Sequence, residues 1–208
     1  MRLAPMSLAL ALLATPLAPQ EFERPDDWKV RFDRPAPDTA IYFVSMPPGW
    51  HITTGPAAIL YNPAQTADGE YRVQSEIFLF PGDRREGFGV FVGGENLEAG
   101  NQSYLYFLIR KDGRFLVKHR AGDETHVIIP WSEHAAILKH DGGEGTAKNI
   151  LAIECGSEQV RFFVNDKQVA WLPRSQLGVD GIVGLRINHG LDVHVSELSV
   201  SPLTGSGR

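Results

Sequence analysis

Cysteine is nearly absent: one residue, Cys155, stands among 208, so no intramolecular disulfide can staple the fold. It lies in the apolar run Ile150-Leu-Ala-Ile-Glu-Cys155, the setting of a small buried hydrophobe rather than of a nucleophile. No run of Lys or Arg offsets the net charge of −5, so a phosphate backbone would meet a mildly repulsive surface, and nucleic acid is not expected as a partner. Beyond the first twenty or so residues no apolar stretch is long enough to span a bilayer. No segment keeps the 3.6-residue period of an amphipathic helix, which confines helices to connections. No Gly-x-Ser-x-Gly elbow presents a serine nucleophile. The Gly93-Gly94-Glu95-Asn96 turn leads into no helix, so it does not read as a phosphate cradle.

The N-terminus has the pattern of a cleavable secretory leader. Arg2 gives the positive start, residues 3–14 are apolar apart from Pro5 and Ser7, and small and helix-breaking residues follow in Ala14-Thr-Pro-Leu-Ala18. The apolar part is too short for a stable anchor, and no cysteine lies near the junction to carry a lipid. The expected layout is a signal peptide over 1–19, an N-terminal extension with a first strand over 20–40, the main domain over 41–203 and a disordered tail over 204–208. The expected location is secreted or periplasmic. Cleavage would remove Arg2 and leave the mature chain one unit more acidic.

The remaining chain is rich in strand signals. Candidate strands are 28–32, 41–45, 50–53, 57–61, 71–80, 88–93, 104–110, 115–120, 125–129, 150–155, 159–164, 167–172, 181–188 and 193–200. In 71–80, Tyr71, Val73, Ile77 and Leu79 fall on one face, and Arg72, Gln74 and Glu76 on the other. Asp112-Gly113 and Asn165-Asp166 each supply residues that accept positive φ, which a tight hairpin demands. Roughly a dozen short antiparallel strands joined this way give an all-β domain, a two-sheet sandwich or a barrel. Its size allows a core without metal or disulfide.

Four segments narrow the choice: Asn149-Ile-Leu-Ala-Ile-Glu-Cys, then Val160-Arg-Phe-Phe-Val-Asn-Asp-Lys-Gln-Val169, then Gly181-Ile-Val-Gly-Leu-Arg-Ile-Asn-His189, and a last strand over 193–200. This succession resembles the closing strands of concanavalin A-like lectin/glucanase jelly rolls. It is most similar to bacterial exported domains of the 3-keto-disaccharide hydrolase-like kind, with laminin G-like domains as cousins. Gly87-Phe-Gly-Val-Phe-Val, Tyr104-Leu-Tyr-Phe and Asp112-Gly-Arg-Phe fit the same layout, so the resemblance spans about 71–202. It implies a two-sheet antiparallel jelly-roll β-sandwich in which saccharides dock on the concave sheet. The Asn-Ser-Gly element of the hydrolase-like domains is replaced here by Gly87-Phe88-Gly89, and the Glu-x-Asp-x-x-Glu strand of laminarinase-type glucanases is absent.

A two-residue turn at Asp112-Gly113 would set Tyr106 opposite His119 and Arg110 opposite Phe115. A turn at Gly122-Asp123 would then set His119 opposite His126. Directly paired residues have Cβ atoms about 5 Å apart, so Tyr106, His119 and His126 would form one row, on the face of Tyr104 and Arg110. Arg72, Gln74, Glu76, Arg186 and Asn188 also point away from the core, and some of them are expected to share the concave surface. The competing reading is an ordinary solvated sheet face. His119 and His126 with Asp123 or Glu124 lack the third nitrogen or sulfur ligand that a zinc site calls for, so neither metal nor cofactor is expected. Glycoside hydrolysis would need two carboxyl groups about 5–10 Å apart. Glu76 is the one carboxylate placed on the polar face of a central-looking strand, with Glu86, Glu95 or Glu98 from loops as a partner. Trp50 and Trp131 could stack on a sugar at the rim or plug the core, and Trp28 and Trp171 read as core. The leading expectation is a non-catalytic carbohydrate-binding module. A glycoside-active hydrolase using Glu76 and a structural or protein-interaction sandwich are the alternatives. Oligomeric state cannot be read from the residues.

Overall fold

The computed structural model describes residues 23–203; the leader expected over 1–19 and the tail over 204–208 lie outside them. Fourteen strands follow one another in the described chain. They are β1 (Lys29–Phe32), β2 (Ile41–Ser45), β3 (Trp50–Thr54), β4 (Ala58–Ala67), β5 (Tyr71–Leu79), β6 (Gly87–Glu95) and β7 (Ser103–Arg110). The second half holds β8 (Arg114–Ala121), β9 (Glu124–Glu133), β10 (Ala147–Cys155), β11 (Gln159–Val164), β12 (Lys167–Pro173), β13 (Gly181–Ile187) and β14 (Asp192–Pro202). The only helices described are two single 3-10 turns, Asp38–Ala40 and Arg174–Gln176.

The strands make two seven-stranded antiparallel sheets. Sheet A has the order β1-β4-β13-β6-β7-β8-β9, and sheet B has β12-β11-β10-β5-β14-β3-β2. This is the all-β two-sheet jelly roll that the resemblance implies, one of the two architectures the strand pattern allows. The sheets face each other through alternate residues, with Val73, Ile77, Leu151, Ile153 and Val195 of sheet B against Leu60, Val90, Phe107, Val117 and Leu185 of sheet A. Phe107 and Phe162 meet at 5.3 Å between ring centroids. Trp28 belongs to this core, packed on Phe43 and Trp50. Cys155 is fully buried, and burial pushes its thiol up to about 11, which makes it inert.

Prolines sit where the ladders can spare a donor. Pro63 falls in β4 where its pairing with β13 breaks register, and Pro130 falls in the irregular part of the edge strand β9. Asn165 and Asp166 both take positive φ, 49° and 61°, closing a two-residue turn between Val164 and Lys167 as expected.

The turn after β7 departs from expectation. Its loop has three residues, Lys111 to Gly113, with Gly113 at φ 82° and its N–H donating to the Arg110 carbonyl. Arg110 therefore pairs with Arg114, Tyr106 with Lys118 and Leu105 with His119. A slip of one residue moves every side chain of a strand to the other face. His119 thus leaves the row of Tyr106. Its pairing with His126 holds, because Gly122, at φ 57°, closes a two-residue turn between Ala121 and Glu124.

Trp171 is a second correction. It lies on the edge strand β12 and is 53% exposed, not part of the core.

Candidate functional site

Sheet A curls. Five strand steps separate β1 from β8 in its order, about 24 Å in a flat sheet at ~4.8 Å per step. Yet Asp33, just beyond β1, and Arg120 of β8 line one cleft of about 520 Å³, together with Arg34, Ala57, Asp123 and His189. The accumulated strand twist folds these diagonally opposite corners toward each other and makes the outer face of sheet A concave.

The outer face of sheet A has an aromatic floor, none of whose tyrosines or phenylalanines lines the cleft itself. Ile59, Tyr61, Phe91, Tyr104, Tyr106, Leu108 and Leu116 form a second apolar cluster, separate from the core between the sheets. Phe91 and Tyr104 lie 5.2 Å apart, and Tyr104 and Tyr106 5.6 Å. β13 passes beneath Phe91 only because residue 184 is glycine; a Cβ there would stand 2.5 Å from the ring. The tyrosine rings are 1% and 5% exposed, so they support other groups and do not offer bare faces to a sugar.

An ion pair lies on this floor. Arg186 donates through both terminal nitrogens to Asp33, each at 2.5 Å, and through Nε to Asn188 at 3.0 Å. One terminal nitrogen also reaches the Tyr104 hydroxyl at 3.3 Å, and the guanidinium stands 5.5 Å from the Tyr106 ring centroid. Burial alone would raise the Asp33 pKa, but the Arg186 hydrogen bonds and charge outweigh it and hold the carboxyl below its usual value. Burial would likewise lower Arg186, and the bond to Asp33 reverses this and raises it. Burial raises Tyr104 and pushes Tyr106 up to about 12, so both remain phenols. Arg120 closes the cleft from the far side, held by Nε on the Gly122 carbonyl at 2.6 Å.

The ten residues singled out in the sequence fall on three surfaces. Tyr104, Tyr106, Arg186 and Asn188 converge on the concave face of sheet A. Arg110 lies at the other end of β7, bonded to Asp112 and stacked 4.5 Å over Trp131, which answers whether that tryptophan is free to bind a sugar. His119 and His126 stack at 6.2 Å beside Leu105, Ile128 and Leu177, on the face turned toward the other sheet, and His119 bonds Ser103. Burial, then the neighbouring His126, lowers the His119 pKa. Arg72, Gln74 and Glu76 stand on the outer face of sheet B, across the core from the tyrosines, so no single concave surface collects them all.

Glu76 is bonded to Ser196 at 2.7 Å and Lys148 at 2.9 Å, and these two, Ser196 foremost, lower its pKa. A glycosidic acid needs the opposite shift. Of the loop carboxylates, Glu98 pairs with Lys29 and Glu86 lies against Asn188, both on the side of sheet A, so neither bonds Glu76. Among the described residues no three His, Cys, Asp or Glu side chains converge as a metal site would require.

Asp33, Arg34, Arg120 and His189 escaped the sequence reading. Asp33 is 153 positions from Arg186, and only the curl of the sheet joins them. One signal was present: 88–92 and 104–109 are apolar without alternation, the mark of strands buried on both faces.

No protein-family model matches the chain, and no curated protein matches it in sequence. Solved structures do match. A carbohydrate-binding module, CBM66 from Bacillus subtilis, aligns with a TM-score of 0.63 at 11% identity, over 84% of this chain and 95% of that one. A Bacteroides ovatus GH16 protein from a mixed-linkage glucan locus, in complex with an oligosaccharide product, aligns at 0.61 and 6% identity, over 86% and 97%. The lumenal domain of VIP36, in its Ca2+/Man3GlcNAc-bound form, aligns at 0.60 and 8% identity, over 87% and 88%. The fold is the concanavalin A-like jelly roll. At these identities the likeness extends to the fold alone. No helix among the described residues is long and apolar enough to cross a membrane.

Proposed function

We propose that the protein is an exported glycan-binding module whose ligand sits in the diagonal cleft of sheet A. The observation that carries this reading is the cleft itself, a concavity of about 520 Å³ rimmed by Asp33, Arg34, Arg120 and His189. Its volume lies in the range of small-ligand sites, roughly 300–1,000 Å³. Planar guanidinium and carboxylate groups fixed before the ligand arrives suit hydroxyl pairs and lower the ordering cost of binding. Asp33 keeps lone pairs beyond those used by Arg186, and Arg120 keeps N–H donors beyond the one on Gly122. The carbohydrate-binding module and the Man3GlcNAc-bound lumenal domain of the same fold support the class of ligand. The leader pattern supports export.

The absence of a raised carboxyl pKa at Asp33 or Glu76 favours binding over hydrolysis. A glycan array on the mature protein tests the reading. Binding to at least one glycan, weakened about tenfold or more in Arg120→Ala, is the expected result. Binding to none sinks it, and reducing-sugar release from any bound glycan replaces the module with an enzyme.

A further inference from the structure

The outer face of sheet B carries a row that the cleft does not explain. Trp171, Arg161, Glu154, Arg72 and Ser201 are direct cross-strand partners on five successive strands, β12, β11, β10, β5 and β14. The row runs across the strands for about 19 Å at ~4.8 Å per step. Glu154 is gripped from both sides, by Arg72 at 2.6 Å and Arg161 at 3.0 Å. Arg72 is further fixed by Gln74 at 3.0 Å and by the Phe163 ring, 5.3 Å below its guanidinium. Beside the row, Ala152 stands between Phe163 and Gln74 in the ladder and is buried beneath its neighbours. Arg72, Glu154, Arg161 and Ser201 of the row, with the β10–β11 turn, line a groove of about 810 Å³, and Trp171 stands beyond that lining. Trp171 lies at the outer end with its ring half exposed, directly opposite Arg161.

We propose that this row is a second, independent saccharide site, which takes a neutral chain laid across the strands. An exposed indole offers a flat apolar face to the C–H side of a sugar ring. The clamped Arg–Glu–Arg triad offers prepositioned donors and acceptors to vicinal hydroxyls. The charges select against anions: Arg72 and Arg161 are offset by Glu154 and by Asp166, 3.7 Å from Arg72, and Glu70 and Glu158 add negative charge at the groove. The two sites lie on opposite outer faces of the sandwich, so one chain bridges two glycan strands and gains avidity without oligomerising.

Calorimetry with cellohexaose, laminarihexaose and a hexauronate on the mature chain separates this site from the cleft. The expected result is a neutral hexasaccharide bound at two sites per chain. Trp171→Ala abolishes one of them or weakens it about tenfold, Trp171→Phe retains it, and Arg120→Ala removes the other. Both Ala substitutions should abolish agglutination of glycan-coated beads. A single site lost in Trp171→Ala and indifferent to Arg120→Ala upholds the row and overturns the cleft. A single site lost in Arg120→Ala and untouched by Trp171→Ala overturns the row, as does a preference for the hexauronate at the Trp171 site. No binding of any probe overturns both. Trp171 is on the surface of an edge strand, so its loss should leave the melting temperature in place, and thermal denaturation checks this.

Discussion

The outer faces of the two sheets are opposites. That of sheet B is grooved and crossed by ion pairs, Arg72–Glu154–Arg161 and Glu76–Lys148, which stay partly open to water. That of sheet A is a curved bed of tyrosine and phenylalanine with one ion pair buried on it. A two-residue alternation says which side chains leave the core, and nothing about whether the surface they reach is flat or folded over. Charge on the outer face of sheet B keeps some water and shares several partners. On the curved face, Arg186 and Asp33 must satisfy each other.

Substitutions at matched positions test that difference. Arg186→Met leaves Asp33 without its partner and should cost about 3–5 kcal/mol in urea denaturation, whereas Arg72→Met should cost about 1 kcal/mol or less. Equal losses would erase the distinction between the faces. Gly184→Ala drives a methyl toward the Phe91 ring and the Leu60 carbonyl and should cost about 1–3 kcal/mol in the same measurement. A neutral result would mean that the aromatic bed is loosely packed.

Acid sharpens the contrast further. Asp33 has a folded-state pKa below its unfolded value of ~3.9, so its contribution is complete above that pH and disappears as the pH falls through the folded-state value. Denaturation titrations between about pH 5.5 and 2.5 should show a steeper loss in the wild type than in Asp33→Asn. His119, also lowered, adds a smaller loss as the pH falls from about 7 through 6, removed by His119→Gln. The smallest change belongs to the outer face of sheet B: Glu76→Gln should shift stability by about 0–1 kcal/mol, read by thermal melting.

Much of the fold was legible. The Asn165-Asp166 turn, the alternation in β5 and the sequence of strands follow from local chemistry, and they stand in the structure. The Asp112-Gly113 turn was not, because the same dipeptide serves a two- or a three-residue loop. Here Asp112 bonds Arg110 and the glycine takes the third position. Trp171 was misread because a hydrophobic side chain in a strand does not reveal that its strand is at an edge. The proposed binding surface was half legible. Tyr104, Tyr106, Arg186 and Asn188 could be found by face, but Asp33 and Arg120 could not, since their meeting depends on twist summed over five strand steps.

The placement of the last two strands governs the order in which the molecule can be made. β13 lies between β4 and β6, and β14 between β5 and β3, so each sheet is held together by residues beyond 180. In a nascent chain that has not yet emerged to that point, each sheet is split into two fragments with open edges. Such late, long-range closure is slow, because loop entropy is lost before the native contacts can repay it. The chain should therefore stay unfolded until synthesis is complete and need shielding from aggregation meanwhile. A truncation at residue 180 should yield insoluble protein, not a smaller sandwich.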